Sequence, residues 1–432
     1  TVAYGSGSML FGVRAVVVSA GPDLEIGTTT GSNDEDREDN VANVAFEEYA
    51  APLPQMKWTM APRVEAFRSR WYPEVGLDRW TDWRWQLRNR IRDLESAERL
   101  FSLTDSEREA IRRRRGMLPL GITPYYAALL DPENPRDPLR RTKIPTMDEF
   151  ETRGDECPDP LGEDAHSPVP GLVHTYPDKV LFLVTDFCST YCRYCTRARM
   201  VGGGEFLPEK GMWERALDYI RAHPEIRDVL LSGGDPLILA DERLGWILER
   251  LRGIPHVEFL RIGTKVPAVL PYRITDALLE RLRSFHPLYF SIHFTHPDEL
   301  TLEVRDACER LADAGIPTGG QTVLLKGVND DPEVMKQLNL GLLKVRCKPY
   351  YLHQCDPIQG SAHFRTTVET GRRIIQNLHG HTTGYAVPTY MVDTAGGGGK
   401  VPVGPDYTQR REGDYLVLTN YRGETTRYWD PV

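Results

Sequence analysis

The sequence predicts an α/β protein: a partial (β/α)6 barrel, preceded by a helical region and followed by a C-terminal segment. Three observations carry this reading. Six short β-rich runs alternate with helical stretches between Val180 and Leu352, the pattern of a parallel sheet with helical crossovers. Three of the seven cysteines, Cys188, Cys192 and Cys195, fall within eight residues, directly after the first of these runs. A run of four glycines ends on Lys400, between β-like pieces. In such sheets the groups that do chemistry collect at the C-terminal ends of the strands.

Composition narrows the function classes. The chain has 432 residues, with 53 Lys+Arg against 62 Asp+Glu, a net charge of −9. That leaves no face-wide basic excess for phosphates, so no nucleic-acid partner is expected. No apolar run approaches the ~18 residues of a membrane span, and Met9–Ala20 is too short and interrupted by Arg14 to read as a signal peptide. The expected setting is therefore cytoplasmic, with no membrane partner. An odd cysteine count makes a poor disulfide framework.

The elements follow in order. Residues 1–55 contain the polar, acidic run Gly27–Asn40 and are expected to form a disordered or loosely attached extension. Residues 56–175 are expected to be an N-terminal helical region. There Trp83, Leu87, Ile91 and Leu94 recur near a 3.6 period, predicting one helix, and Arg112–Arg115 read as a solvated helix end. Residues 176–355 form the partial barrel. Its strands are expected at Val180–Thr185, Val229–Ser232, Val257–Gly263, Leu288–Phe294, Pro317–Leu325 and Val345–Leu352. Helices are expected at Met212–His223, Asp241–Arg252, Asp276–Phe285 and Leu300–Ala314. Residues 356–432 are the C-terminal segment, with the glycine run and β-like pieces at Tyr415–Asn420 and Thr425–Trp429.

The spacing Cys188-x3-Cys192-x2-Cys195 offers three thiolates to three corners of a cubane iron–sulfur cluster. No fourth cysteine is near, which leaves one iron open to an exogenous ligand and suits catalysis better than electron storage. A zinc site is the alternative, but tetrahedral zinc wants four ligands, usually as two spaced pairs, and no second pair is visible. Ser232-Gly233-Gly234-Asp235, at the end of the second strand, reads either as a close approach of backbone to a ligand or as an ordinary βα turn. Between Asp393 and Lys400 the glycine loop delivers a lysine, which suits a reversible Schiff base with an aldehyde cofactor; a flexible linker is the alternative. The non-enzyme reading of all this is an iron–sulfur or zinc binding module.

The cysteine spacing, with Tyr194 before the last cysteine, resembles the signature of the radical S-adenosylmethionine enzymes. From about Trp80 to Asp430 the chain resembles lysine 2,3-aminomutase and its relatives, on stretches that include WTDWRWQLRNRI, SPVPGLVHTYPDKV, CSTYCRYCTRAR, VLLSGGDPL, RIGTKVPAVLP, HQCDPIQG and GGGGKVPV. The resemblance implies a radical-SAM barrel. It also implies a [4Fe–4S] cluster on Cys188, Cys192 and Cys195, and S-adenosylmethionine at Tyr194, Ser232, Gly233, Gly234 and Asp235. Lys400 would hold pyridoxal 5′-phosphate as a Schiff base, with Tyr176, Lys179 and Gln321 toward its phosphate. Arg197 matches the arginine that clamps the substrate carboxylate, against the plainer reading of a surface arginine. Asp356 and Asp393 match the pair that binds a distal ammonium, against that of two turn-capping aspartates.

The implied activity is an isomerase: a 2,3-aminomutase moving the α-amino group of a basic L-amino acid to the β-carbon, lysine before the alternative, arginine. A small-molecule amino acid substrate, an electron donor such as flavodoxin or ferredoxin, and a homo-oligomeric state are implied with it. Three departures stand out. His174-Thr175-Tyr176-Pro177-Asp178-Lys179 lacks the family's phosphate-binding arginines. Leu352 and His353 replace a more aromatic run. No cysteine follows Cys355, and Asp331 replaces the remote cysteine of the family's zinc site, so no structural zinc is expected.

Overall fold

The computed structural model describes residues 58–113, 118–202 and 208–431. The expected extension over residues 1–55 lies outside them, as do Arg114 and Arg115.

Short helices open the described chain: α1 (Pro62–Trp71), α2 (Leu77–Trp80), α3 (Trp83–Arg88), α4 (Leu94–Leu100), α5 (Asp105–Arg113), α6 (Pro124–Ala127) and α7 (Pro138–Arg141). The single helix predicted through Trp83, Leu87, Ile91 and Leu94 is broken in two. Ile91 leaves the helix to exchange backbone hydrogen bonds with Ile122, at 2.9 and 3.2 Å. Asp93 then caps α4, its carboxylate accepting the Ser96 N–H at 2.9 Å while Ser96 Oγ accepts the Asp93 N–H. A cap and a two-residue bridge satisfy backbone groups that an unbroken helix would hold internally, and they win over the continuous apolar period. The helical region is tied to the chain around Tyr272: the fully buried Trp80 donates from Nε1 to Tyr272 Oη at 3.2 Å.

The main sheet has nine strands standing in chain order: β1 (Leu172–Tyr176), β2 (Lys179–Thr185), β3 (Asp228–Gly233), β4 (Phe259–Thr264), β5 (Leu288–His293), β6 (Thr318–Leu324), β7 (Lys348–Gln354), β8 (Thr389–Thr394) and β9 (Gly399–Pro402). Strands β2 to β8 are all parallel, while β1 and β9 pair antiparallel at the two edges. Strands of the parallel set bury alternate residues such as Val229 and Leu231, Leu260 and Ile262, Phe290 and Ile292. Helices α8 (Lys210–Ala222), α9 (Asp241–Arg252), α10 (Val266–Val269), α11 (Asp276–Arg283), α12 (Leu302–Asp313), α13 (Pro332–Lys344) and α14 (Val368–Leu378) lie along the crossovers. Each carries apolar residues into the core, for example Leu244, Ile247, Leu248 and Leu251 of α9.

The six predicted runs are β2 to β7, two of them starting more than one residue late: the run expected from Val257 starts at Phe259. The run expected from Val345 starts at Lys348, because Val345 closes α13 and Arg346 takes a left-handed φ of 62° before the strand can begin. A seventh parallel strand, β8, has no counterpart among the predicted runs. With β9 it shows that the chain beyond Asp356 still belongs to the same sheet. A separate antiparallel sheet, β10 (Thr408–Glu412), β11 (Tyr415–Thr419) and β12 (Thr425–Trp429), completes the described chain. Among the described residues no helix is long and apolar enough to cross a membrane.

Candidate active site

The loop after β2 carries Cys188, Cys192 and Cys195, all free thiols. It is held from several sides. Tyr191 donates its N–H to Gly121 O and Arg193 to Thr142 O, both at 3.0 Å. Arg90 Nη1 donates to Cys188 O at 2.8 Å. The buried Arg193 guanidinium pairs with the equally buried Glu149 and donates to Leu118 O and Pro119 O. Removing one partner of such a buried pair typically costs about 3–5 kcal/mol, so the helical region is a clamp on the cysteine loop. Burial pushes the Cys188 thiol up, and the Cys195 thiol up to about 11. Cys192 differs: burial raises it too, but the Lys143 and Lys265 ammonium groups outweigh burial and hold it below the usual thiol value. Among the described residues no three His, Cys, Asp or Glu side chains converge on one metal ion. A cubane takes each thiolate on a different iron, so its ligands need not converge on a point.

The turn after β3 lies directly on that loop. Gly234 N donates to Thr185 O at 2.5 Å, and Asp235 N to Phe187 O at 2.9 Å. Gly233 has φ of 117°, and a Cβ there would sit 2.2 Å from Thr185 O. A Cβ on Gly234 would lie 2.4 Å from Phe187 O. Both glycines are thus required by the approach of two backbones. The resemblance assigns Asp235 to the cosubstrate; in the structure its carboxylate is engaged inside the protein. It accepts from Thr264 Oγ1 at 2.7 Å and from the N–H groups of Lys265 and Val266 at 2.8 and 3.2 Å. Burial nevertheless raises it to about 6. Tyr194 is buried, with its hydroxyl 2.9 Å from Thr295 Oγ1.

A cavity of about 460 Å³ is lined by Tyr176, Lys179, Arg197, Glu163, Asp393 and Lys400, among others. The glycine run forms the turn of the β8–β9 hairpin: Gly396, Gly397 and Gly399 have φ of 65°, 81° and 84°, a backbone that side chains disfavour. The hairpin sets Asp393 directly opposite Lys400 in register, and Lys400 Nζ lies 2.5 Å from Asp393 Oδ1. The backbone N–H of Lys400 donates to Tyr176 Oη at 2.8 Å, and Lys179 Nζ stands 4.3 Å from the Tyr176 ring. Burial pushes Asp393 up, but His353 and Lys400 more than reverse this and hold it at about 2. For Asp356 the balance is the other way: burial, then the Asp393 charge, push it up to about 7 against the pull of Lys400, Arg197 and Arg365. Gln321, expected toward a cofactor phosphate, is not a lining residue of this cavity; its Oε1 lies 3.2 Å from His353 Nε2.

Sequence reasoning missed several groups here. Glu163 grips Arg197 with two hydrogen bonds, from Nε at 3.0 Å and from Nη2 at 2.6 Å; the only signal was an acidic residue just ahead of the SPVPG stretch. His353, noted only as a departure, sits with Nδ1 3.5 Å from Asp393 Oδ2. His293 is half-buried nearby, and desolvation with the surrounding basic groups takes it down to about 3. Lys143 had no sequence signal at all.

The comparisons with known proteins bear on this arrangement. Residues 182–338 match the radical SAM superfamily, and residues 375–432 match a model described as lysine-2,3-aminomutase. The L-lysine 2,3-aminomutase of Clostridium subterminale is 49% identical over 84% of this chain and 87% of its own. The chain belongs to the lysine 2,3-aminomutase family. The Bacillus subtilis L-lysine 2,3-aminomutase is 48% identical over 83% of this chain and 76% of its own, and the glutamate 2,3-aminomutase of Clostridioides difficile is 42% identical over 81% and 83%. Membership makes the chain a radical SAM enzyme, an isomerase, with the [4Fe–4S] cluster and S-adenosylmethionine of that superfamily. The lysine 2,3-aminomutase family also uses pyridoxal phosphate.

Proposed function

We propose that the protein is a 2,3-aminomutase of a basic L-amino acid, with lysine its substrate. The observation that carries the substrate class is the pair of Asp356 and Asp393. Asp393 lines the cavity, and Asp356, though not one of its lining residues, is near enough to feel the Asp393 charge. Burial and that charge together push Asp356 up to about 7, so a further positive charge between the two would be welcome. A cationic side chain supplies that charge. A glutamate side chain would add a third carboxylate.

Cys188, Cys192 and Cys195 are the residues to hold the cluster, and the Gly233–Gly234 backbone, with Ser232 and Tyr194, is the cradle for S-adenosylmethionine. Asp235 serves that cradle indirectly, by tying its turn to Thr264 and Lys265. Lys400 is the residue to hold pyridoxal phosphate, with Tyr176 and Lys179 beside it. When bound, the cluster and S-adenosylmethionine supply a hydrogen-abstracting radical, and pyridoxal phosphate supplies an aldehyde carbon and a conjugated ring that spreads unpaired spin.

The chain's own side chains bind and orient. Arg197, fixed by Glu163 along one edge, keeps Nη1 free of that pair to meet a substrate carboxylate. Asp393 accepts a hydrogen bond from Lys400 Nζ; with Lys400 holding pyridoxal phosphate, Asp393 and Asp356 would be left for the substrate's distal cation. The hairpin keeps Lys400 within reach of the same point. Buried walls such as Tyr194 and Leu325 exclude water on the cluster side.

Anaerobic turnover of the reconstituted protein, with L-lysine, L-arginine and L-glutamate offered in equal amounts, tests the reading. β-Lysine as the main product is expected. β-Arginine as the sole product would move the assignment to the longer cationic head, and β-glutamate would overturn the argument from the aspartate pair.

A further inference from the structure

Lys143 follows α7 and is 1% exposed. Its Nζ donates to Cys192 Sγ at 3.0 Å, and the Tyr126 ring centroid lies 5.1 Å away. Among the described residues no ion pair joins Lys143 to a carboxylate. The buried carboxylate of this region, Glu299, is already committed: it pairs with Lys265 Nζ at 2.7 Å, accepts from Tyr126 Oη at 2.7 Å and takes the Thr295 N–H at 2.5 Å. Of the two buried lysines, Lys265 therefore holds that carboxylate and Lys143 makes no ion pair among the described residues. Charge is costly to bury unpaired, and the group placed to answer Lys143 is the Cys192 sulfur.

We infer that Lys143 is a positioning residue for the cluster: it orients the Cys192 sulfur and raises the cluster's reduction potential through an N–H···S bond and a buried positive charge. The inference rests on Cys192 being a cluster ligand. Reduction adds one electron from a one-electron donor and no proton, so the reduced cluster is the more negative form. A fixed cation at a ligating sulfur stabilises that form more than the oxidised one, and hydrogen bonds to cluster sulfurs act in the same sense. Lys143 thereby eases entry of the electron, with the Tyr126 ring packed against its ammonium.

The test is an anaerobic redox titration of the reconstituted full chain, followed by the electron paramagnetic resonance of the reduced cluster, with iron and sulfide content measured alongside. Lys143→Met and Lys143→Gln are expected to titrate at more negative potentials than the native protein, with Lys143→Met furthest. Lys143→Arg is expected to return toward the native value. A native midpoint in Lys143→Met with full iron content overturns the inference. If Lys143→Met takes up no cluster, Lys143→Gln carries the same comparison, and an unmoved midpoint there overturns it equally. Loss of the cluster in both neutral variants with its retention in Lys143→Arg supports the need for a cation at Cys192. A cluster that survives Cys192→Ala would instead remove the ligand assignment, an outcome read from iron content and separate from any shift in potential.

Discussion

The hydroxyl of Tyr176 accepts the backbone N–H of Lys400 at 2.8 Å, and that bond joins the first strand of the nine-stranded sheet to the last. The two edge strands do not pair through their backbones. That phenol is one of the ties that place the β8–β9 hairpin, beside the Gly396 N–H bond to Pro160 O and the pairing of β8 with β7. Tyr176→Phe keeps the ring and deletes the acceptor. A neutral hydrogen bond is worth about 1 kcal/mol, so kcat/KM is expected to fall by roughly 5- to 10-fold while the melting temperature barely moves. An unchanged kcat/KM would show that the hairpin is placed without it.

Lys400→Ala removes the amine proposed to hold pyridoxal phosphate. It is expected to abolish turnover and the borohydride-reducible cofactor band, while the broad iron–sulfur absorbance near ~400 nm survives. Retained full activity would refute its role.

Asp356 binds its proton more tightly in the folded chain than in the unfolded one, its pKa being raised from 3.8 to about 7. The stability this lends is present at acid pH and is lost as pH rises through that interval. Compared with Asp356→Asn, the ligand-free protein should therefore lose ground between about pH 4 and 7, by at most about 4 kcal/mol at 1.36 kcal/mol per pH unit. Asp393, held at about 2, behaves oppositely and contributes stability that is lost only in strong acid. Melting curves of both proteins across pH check this, and parallel curves would contradict it. Lysine binding carries the mirror image, since a cation favours the ionised carboxylate: affinity should improve as pH rises through about 7.

Arg197→Lys keeps the charge but loses the fork that Glu163 grips and that a carboxylate would meet. A charge-assisted hydrogen bond is worth about 1.5–3 kcal/mol, so KM is expected to rise by roughly 10- to 100-fold with iron content unchanged. A change confined to kcat would count against a carboxylate clamp.

Gly234→Ala places a Cβ 2.4 Å from Phe187 O, a backbone atom that cannot step aside alone. The turn and the cysteine loop must then separate. The expected result is poor cluster uptake and a loss of about 3 kcal/mol or more in stability. Normal iron content in this variant would show the two loops to be less tightly joined than their backbone contacts imply.

Much of the scaffold was legible in the sequence because it is local. Alternating β-rich and helical runs report their own burial, and the spacing of Cys188, Cys192 and Cys195 lies within a single loop. The glycine run was legible for the same reason, since its φ values are a property of the turn itself. What escaped depends on partners distant in sequence. Glu163 meets Arg197 across 34 residues and Lys143 meets Cys192 across 49; no period or spacing announces either. The pairing of Asp393 with Lys400 needed the strand register, which the seven-residue interval alone does not give. Ile91 was misread because its apolar period was true to its burial, while its backbone bonded to Ile122.

Because the nine strands stand in chain order, labour is divided along the chain as well as across the sheet. The cysteine loop and the glycine turn come after β2 and β3, whereas Asp356, Asp393 and Lys400 belong to β7, β8 and β9 and the turns between them. The groups proposed to start the radical and those proposed to read the substrate side chain therefore sit on separate stretches of chain, with Arg197, the proposed carboxylate clamp, left on the cysteine loop. The two stretches still meet in space, since Cys355, beside Asp356, packs in one cluster with Tyr194 and Cys192.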